Sequence, residues 1–127
     1  MSLRHLFDKK NTPGKPQPVD DTNFADDVLG SRTPVLVDFW APWCAPCRLV
    51  GGLLEEIGPD YHGRLRIVKL NVDESPQTAA RFGISSIPTM ILFKDGKAVD
   101  HVVGAMPMRP LRQWLDRHAL EKSGVDS

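Results

Sequence analysis

The only two cysteines of this 127-residue chain stand three positions apart in Trp43-Cys44-Ala45-Pro46-Cys47, where an apolar run gives way to a helical pattern. That run, Val35-Leu36-Val37-Asp38-Phe39-Trp40, is nearly continuous rather than alternating, as expected of a strand covered on both faces. The helix that follows opens with unpaired N–H groups and a positive dipole end, which favour a thiolate over a thiol. Two thiols at this spacing can close a disulfide with each other. A structural zinc site wants four ligands, and His5, His62, His101 and His118 are scattered without ligand spacing. A disulfide closing so small a loop removes little unfolded-state entropy. The pair therefore reads as a redox-active dithiol, not a metal half-site or a stabilising staple.

Turn and cap signals set out the rest of the chain. Pro13, Gly14, Pro16 and Pro18 argue for a flexible extension over residues 1–19, whose end at Gln17 to Val19 can form only an edge strand. Asp21 or Thr22 is expected to cap a short helix carrying Phe24, Val28 and Leu29 on one face. The helix from about Pro46 to Tyr61 places Leu49, Leu53, Leu54, Ile57 and Tyr61 on one stripe, and a strand runs from Leu65 to Val72. Ser75-Pro76 opens another short helix, serine as cap and proline at the first helical position, ending at Gly83. Thr89 to Phe93 and Ala98 to Val103 flank Lys94-Asp95-Gly96-Lys97, a hairpin signal. A last helix begins between Pro107 and Pro110 and packs Leu111, Trp114, Leu115 and Leu120. Residues 121–127 form a polar tail. The order β-α-β-α-β-α-β-β-α predicts an α/β domain with a mixed sheet and helices on both faces.

Composition narrows the partners. Sixteen basic residues balance sixteen acidic ones, so no net field draws the chain to nucleic acid or acidic lipid. The apolar runs fall far short of a membrane span. The first ten residues lack the uninterrupted apolar stretch of a secretory signal, so a cytoplasmic location is expected.

Several residues carry weight singly. A carboxyl isolated in a buried apolar strand is costly to ionise, so the pKa of Asp38 should rise. Taken alone, it is equally a proton carrier or a hydrogen-bonded core aspartate. Phe39, Phe82, Phe93 and Trp114 read as core. Gly51-Gly52 lies mid-helix, where each glycine costs roughly 0.8–1 kcal/mol against alanine; either a flexible bend or a helix–sheet contact too close for side chains accounts for it. Gly104 fits a close backbone approach.

Five blocks occur in order: Val37-Asp38-Phe39-Trp40-Ala41, Trp43-Cys44-Ala45-Pro46-Cys47, Lys69-Leu70-Asn71-Val72-Asp73, Ile87-Pro88-Thr89 and Val103-Gly104-Ala105. In order and spacing, from about Asp20 to Leu120, they resemble the thioredoxin family. The resemblance implies a thioredoxin fold over residues 20–120, a central mixed five-stranded sheet flanked by four helices. It implies thiol–disulfide exchange on protein substrates, with Cys44 attacking and Cys47 resolving. It also implies recycling by an NADPH- or ferredoxin-linked thioredoxin reductase, and a monomer needing no cofactor, metal, nucleic acid or membrane. Cys44, at the dipole end, should be exposed, and Cys47, in the first turn, less so. By the same resemblance Asp38 moves the proton of Cys47, Lys69 moderates the charge of Asp38, and Pro88 occupies the cis-proline position. Trp43, Ala45, Pro46, Ile87, Pro88, Gly104 and Ala105 would form an apolar collar for substrate, with Trp40 packed beneath. The chain departs from the family at Ala45, commonly glycine, and at Gly52, commonly a kinking proline.

Overall fold

The apolar run becomes the middle strand of a five-stranded sheet. The structure, a computed structural model, describes residues 12–121; the remainder of the expected extension and tail lies outside the described residues. The elements are β1 (Gln17–Val19), α1 (Ala25–Leu29), β2 (Val35–Trp40), α2 (Ala45–Ile57), β3 (Arg66–Asn71), α3 (Pro76–Arg81), β4 (Thr89–Lys94), β5 (Lys97–Val103) and α4 (Met108–His118). Strand order is β1-β3-β2-β4-β5. The first three strands pair in parallel, and β4 and β5 are added antiparallel. Asp95 and Gly96, both at positive φ, close the hairpin in the two-residue manner that matches strand twist.

Each face of the sheet has its own core. Leu36, Val50, Leu54, Ile57, Met90, Leu92, Leu111 and Leu115 pack on the side of α2 and α4. Val35, Val37, Phe39, Val68, Leu70 and Phe93 meet Phe24 and Val28 on the other side. There Phe24, Phe82 and Phe93 pack ring against ring at centroid distances of 5.2–5.7 Å. Buried side chains of this size each contribute about 1.5–3 kcal/mol, so both faces are needed to hold the parallel strands.

Several local expectations change. Leu49 is 69% exposed and Val50 takes its place in the core. Cys47, Val50, Leu54 and Ile57 recur at steps of three and four, and Leu49, two positions past Cys47, falls on the opposite side. The α-helix stops at Ile57, and a 3₁₀ turn covers Gly58–Tyr61, because Pro59 lacks the N–H that another α turn would use. Leu120 is 48% exposed; α4 ends at His118, and the backbone of Leu120 instead donates to the Arg64 carbonyl at 2.9 Å.

The caps are also redistributed. Neither Asp21 nor Thr22 caps α1, whose N-cap is Phe24 with no side-chain capping bond; Asp20 holds the turn ahead of it, its Oδ1 accepting from the N–H groups of Thr22 and Asn23 at 2.9 and 3.3 Å. Asp21 reaches across the molecule to α3, accepting from the N–H groups of Gln77 and Thr78 at 3.2 and 2.8 Å. Ser75 keeps the N-cap position of α3 but makes no side-chain capping bond. Residues 12–19, expected within a flexible extension, are anchored: β1 pairs with β3, and the backbone at Gly14 lies against Gly58, where a Cβ on either would collide with the other's main chain.

Among the described residues a Cβ built at Gly51 or Gly52 meets nothing within 4 Å, which removes the close-contact explanation for these glycines. Gly51→Ala should therefore stabilise the protein by roughly 0.8–1 kcal/mol through backbone entropy alone. A thermal melt checks this, and a lowered midpoint would restore the tight-contact reading.

Candidate active site

The strand-to-helix junction places the dithiol. Cys44 is the N-cap of α2, in extended conformation at φ −98° and ψ 109°. Its Sγ takes the place of a capping oxygen, accepting the N–H of Cys47 at 3.2 Å. Cys44 and Cys47 are joined in a disulfide. No acidic residue stands in the first turn of α2 to oppose negative charge on sulfur, and Pro46 fits there because that turn offers its N–H no partner. Cys44 is 6% exposed and Cys47 1%. Cys44 is thus more enclosed than the sequence suggested, because its sulfur is bonded to Cys47 and lies 3.9 Å from the carbonyl oxygen of Ile87.

The residues expected around Cys44 come from three parts of the chain. Trp43 is 69% exposed, and its Nε1 donates to Asp73 Oδ2 at 2.8 Å. Ala45, Pro46 and Ala105 are exposed, Ile87 and Gly104 half-buried, and Pro88 buried. The Ile87–Pro88 peptide is cis, and the Pro88 carbonyl accepts the N–H of Gly104 at 2.8 Å. Gly104 is not a point of close approach, since a Cβ there would meet nothing within 4 Å. What calls for glycine is its φ of +96°, strained for any L side chain. Sequence reasoning gave Asp73 no part, although it closes one of the quoted blocks; its bond to Trp43 holds the indole in place.

Behind the dithiol lies a cavity of about 210 Å³ lined by Pro16, Asp38, Trp40, Cys47, Arg48, Gly51, Glu55 and Lys69. Asp38 is 2% exposed, and its Oδ1 has no hydrogen-bond partner among the described residues. Burial pushes the carboxyl up to about 7, against a smaller downward pull from Lys69. Lys69 stands opposite Asp38 in the β2–β3 register, with its Nζ 5.4 Å from the centre of the Trp40 ring. Trp40 is half-buried and lines the cavity. The walls are mostly apolar, so the carboxyl there is poorly hydrated although the space is large enough for water. The arrangement joins two sulfurs at a helix end to a carboxyl that gains or loses a proton near neutrality.

Comparison with known proteins agrees with this geometry. Residues 15–117 match the profile described as Thioredoxin. The chain belongs to the thioredoxin family. It is 53% identical over 100 residues to "Thioredoxin 1" of Nostoc sp. (strain PCC 7120 / SAG 25.82 / UTEX 2576), covering 79% of this chain and 94% of that one. Identity and coverage are the same for "Thioredoxin" of Synechocystis sp. (strain ATCC 27184 / PCC 6803 / Kazusa). With "Thioredoxin M-type, chloroplastic" of Pisum sativum it is 43% over 113 residues, 89% of this chain and 66% of that one. As a thioredoxin-family member the chain is a protein-disulfide oxidoreductase, exchanging its dithiol with disulfides of protein substrates and recharged by a reductase. Among the described residues no helix is long and apolar enough to cross a membrane.

The buried carboxyl has a thermodynamic signature. Between about pH 4 and 7 folded Asp38 keeps a proton that the unfolded chain has lost. Its contribution to stability is therefore whole below pH ~4 and falls as pH rises toward 7, by at most about 1.4 kcal/mol per pH unit. Asp38→Asn should remove this slope and be more stable than the unsubstituted protein at pH 8. Denaturant titrations at pH 4 and pH 8 check the outcome, and an equal stability difference at both would exclude ionisation of Asp38 as its cause.

Proposed function

We propose that Cys44 is the attacking thiolate and Cys47 the resolving thiol of a general protein-disulfide reductase, with Asp38 taking and returning the proton of Cys47. The reading is carried by the sulfur of Cys44 standing as the cap of α2, where the Cys47 N–H and the dipole stabilise an anion. In the reductive direction Cys44 attacks one sulfur of a substrate disulfide. A mixed disulfide forms, and the other substrate sulfur leaves as a thiolate. Cys47 passes its proton toward Asp38, then attacks the Cys44 sulfur, closing the internal disulfide and releasing the second substrate thiol. Two electrons pass from dithiol to substrate. Because the second attack is intramolecular, it proceeds at high effective concentration.

Asp38 suits this part because a carboxyl raised to about 7 accepts or returns a proton at physiological pH with little bias. Lys69 limits the rise, keeping the ionised form within reach. Trp43, Ala45, Pro46, Ile87, Pro88, Gly104 and Ala105 form the apolar, uncharged collar that receives an extended segment of substrate, and Trp40 supports it from beneath. Such a collar asks for backbone and apolar contact rather than one side chain, which suits many substrates. The protein works as a cytoplasmic monomer, without cofactor or metal, and is returned to the dithiol by an NADPH- or ferredoxin-linked thioredoxin reductase.

Reduction of insulin by dithiothreitol tests the roles. The protein should accelerate it, Cys44→Ser should not, and Cys47→Ser should accumulate a mixed disulfide through Cys44 that resolves only with added thiol. Equal acceleration by Cys44→Ser would remove Cys44 as the attacking sulfur and leave a binding module with a dispensable dithiol.

A further inference from the structure

The cavity beside Asp38 is roofed by a part of the chain outside the sheet and helices that build it. Pro16, buried and just ahead of β1, lines this space with Gly51 and Glu55 of α2. Gly51 has no side chain, and nothing lies within 4 Å of the position a Cβ would take, so α2 leaves this part of the cover to the lead-in. The lead-in is held at three points: Gly14 against the backbone of Gly58, Lys15 Nζ 3.1 Å from Glu55 Oε1, and β1 paired with Val68–Leu70.

We propose that Lys15–Pro16 is a fixed lid over the proton-carrying carboxyl of Asp38, pinned in part by the Lys15–Glu55 ion pair, so that Pro16, Lys15 and Glu55 are positioning residues that keep water from Asp38. The inference deepens the reading of Asp38 as proton carrier and takes its functional meaning from it. With the lid in place, Asp38 is desolvated and favours its protonated form. A substitution that displaces Pro16 would admit water and favour the carboxylate. The ion pair is partly exposed, 28% for Lys15 and 43% for Glu55, and a pair so placed is weak. Between the backbone anchors at Gly14 and in β1, the pair serves to fix where Lys15 and Pro16 sit. Among the described residues the charged and titratable groups around the cavity are Asp38 itself, Cys47, Arg48 and Glu55 from α2, Lys69 from β3 and Lys15 from the lead-in. The β4 residue paired with Asp38 is Met90, which carries no charge.

The lid and a plain through-space effect of charge give opposite signs for one variant. Removing the positive charge in Lys15→Met, with the lid unchanged, would raise the midpoint of Asp38. Displacing the lid lowers it. The measurement is the pH titration of the Asp38 carboxyl carbon by NMR in the oxidised protein, where Cys47 has no thiol to titrate. Lys15→Met, Glu55→Gln and the charge-neutral Pro16→Gly should each lower the midpoint, by roughly half a pH unit or more. The exchange Lys15→Glu with Glu55→Lys should return it toward the original value. An upward or absent shift in Lys15→Met, no shift in Pro16→Gly, or an exchange that fails to restore the midpoint would overturn the lid. The titration does not depend on turnover. A lid that fails leaves Asp38 as proton carrier intact, whereas unaltered insulin reduction across the pH range by Asp38→Asn would remove that role and leave the lid measurement standing.

Discussion

Successive side chains of β2 alternate between two cores, so Leu36 and Asp38 look toward α2 while Val35, Val37 and Phe39 pack with the segments around α1 and α3. A slip of one residue in the pairing of β2 would carry Asp38 to the opposite face, into the aromatic cluster and away from the dithiol. The register Asp38↔Lys69 with β3 and Asp38↔Met90 with β4 prevents that slip. What enforces it is the fit of each side chain to its own core, because a slip would exchange residues between two differently packed clusters and set the carboxyl among apolar side chains. The ordinary packing of valine, leucine and phenylalanine thus keeps an unfavourably placed carboxyl in the cavity it shares with Cys47.

The same strand delivers Cys44 to the first turn of α2 in extended conformation. A serine or aspartate there would serve the helix alone. A cysteine serves it too, and the N–H groups that need a partner become the field that holds an anion on sulfur. Stability of the helix end and reactivity of the thiol are therefore one interaction seen from two sides. The cis peptide at Pro88 and the Gly104 amide bonded to its carbonyl set a second backbone segment beside that sulfur.

Much of this was legible in the residues because it is local. The run Val35–Trp40, the dithiol at a helix start and the Asp-Gly hairpin depend on neighbours in sequence, and they form where expected. Features set by distant partners were not legible. Leu49 and Val50 each begin a helical series, with Leu53 and Ile57 or with Leu54 and Ile57; the phase of α2 against the sheet selects the second. The cap of α3 comes from Asp21, whose partners stand 56 and 57 residues away, so a rule confined to adjacent residues settles on Ser75. Asp73 as the anchor of the Trp43 indole, and Pro16 and Glu55 as walls of the cavity, belong to the same class. The raised carboxyl of Asp38 was foreseeable, because its cause is burial in an apolar strand. The cavity that gives it room was not, because it is shaped by what Gly51 lacks and what the lead-in covers.

The reach of Asp21 to α3 has a further consequence. α3 is only six residues long, too short to persist in water on its own, and its leading amides are satisfied by a carboxylate from the turn before α1. Thr78 Oγ1 donates to the same oxygen at 2.6 Å. If that turn detaches, α3 loses its partner in the same event, and Phe24 parts from Phe82 as well. The two short helices on this face therefore melt and form as a single cooperative unit, although nearly half the chain separates them along the sequence.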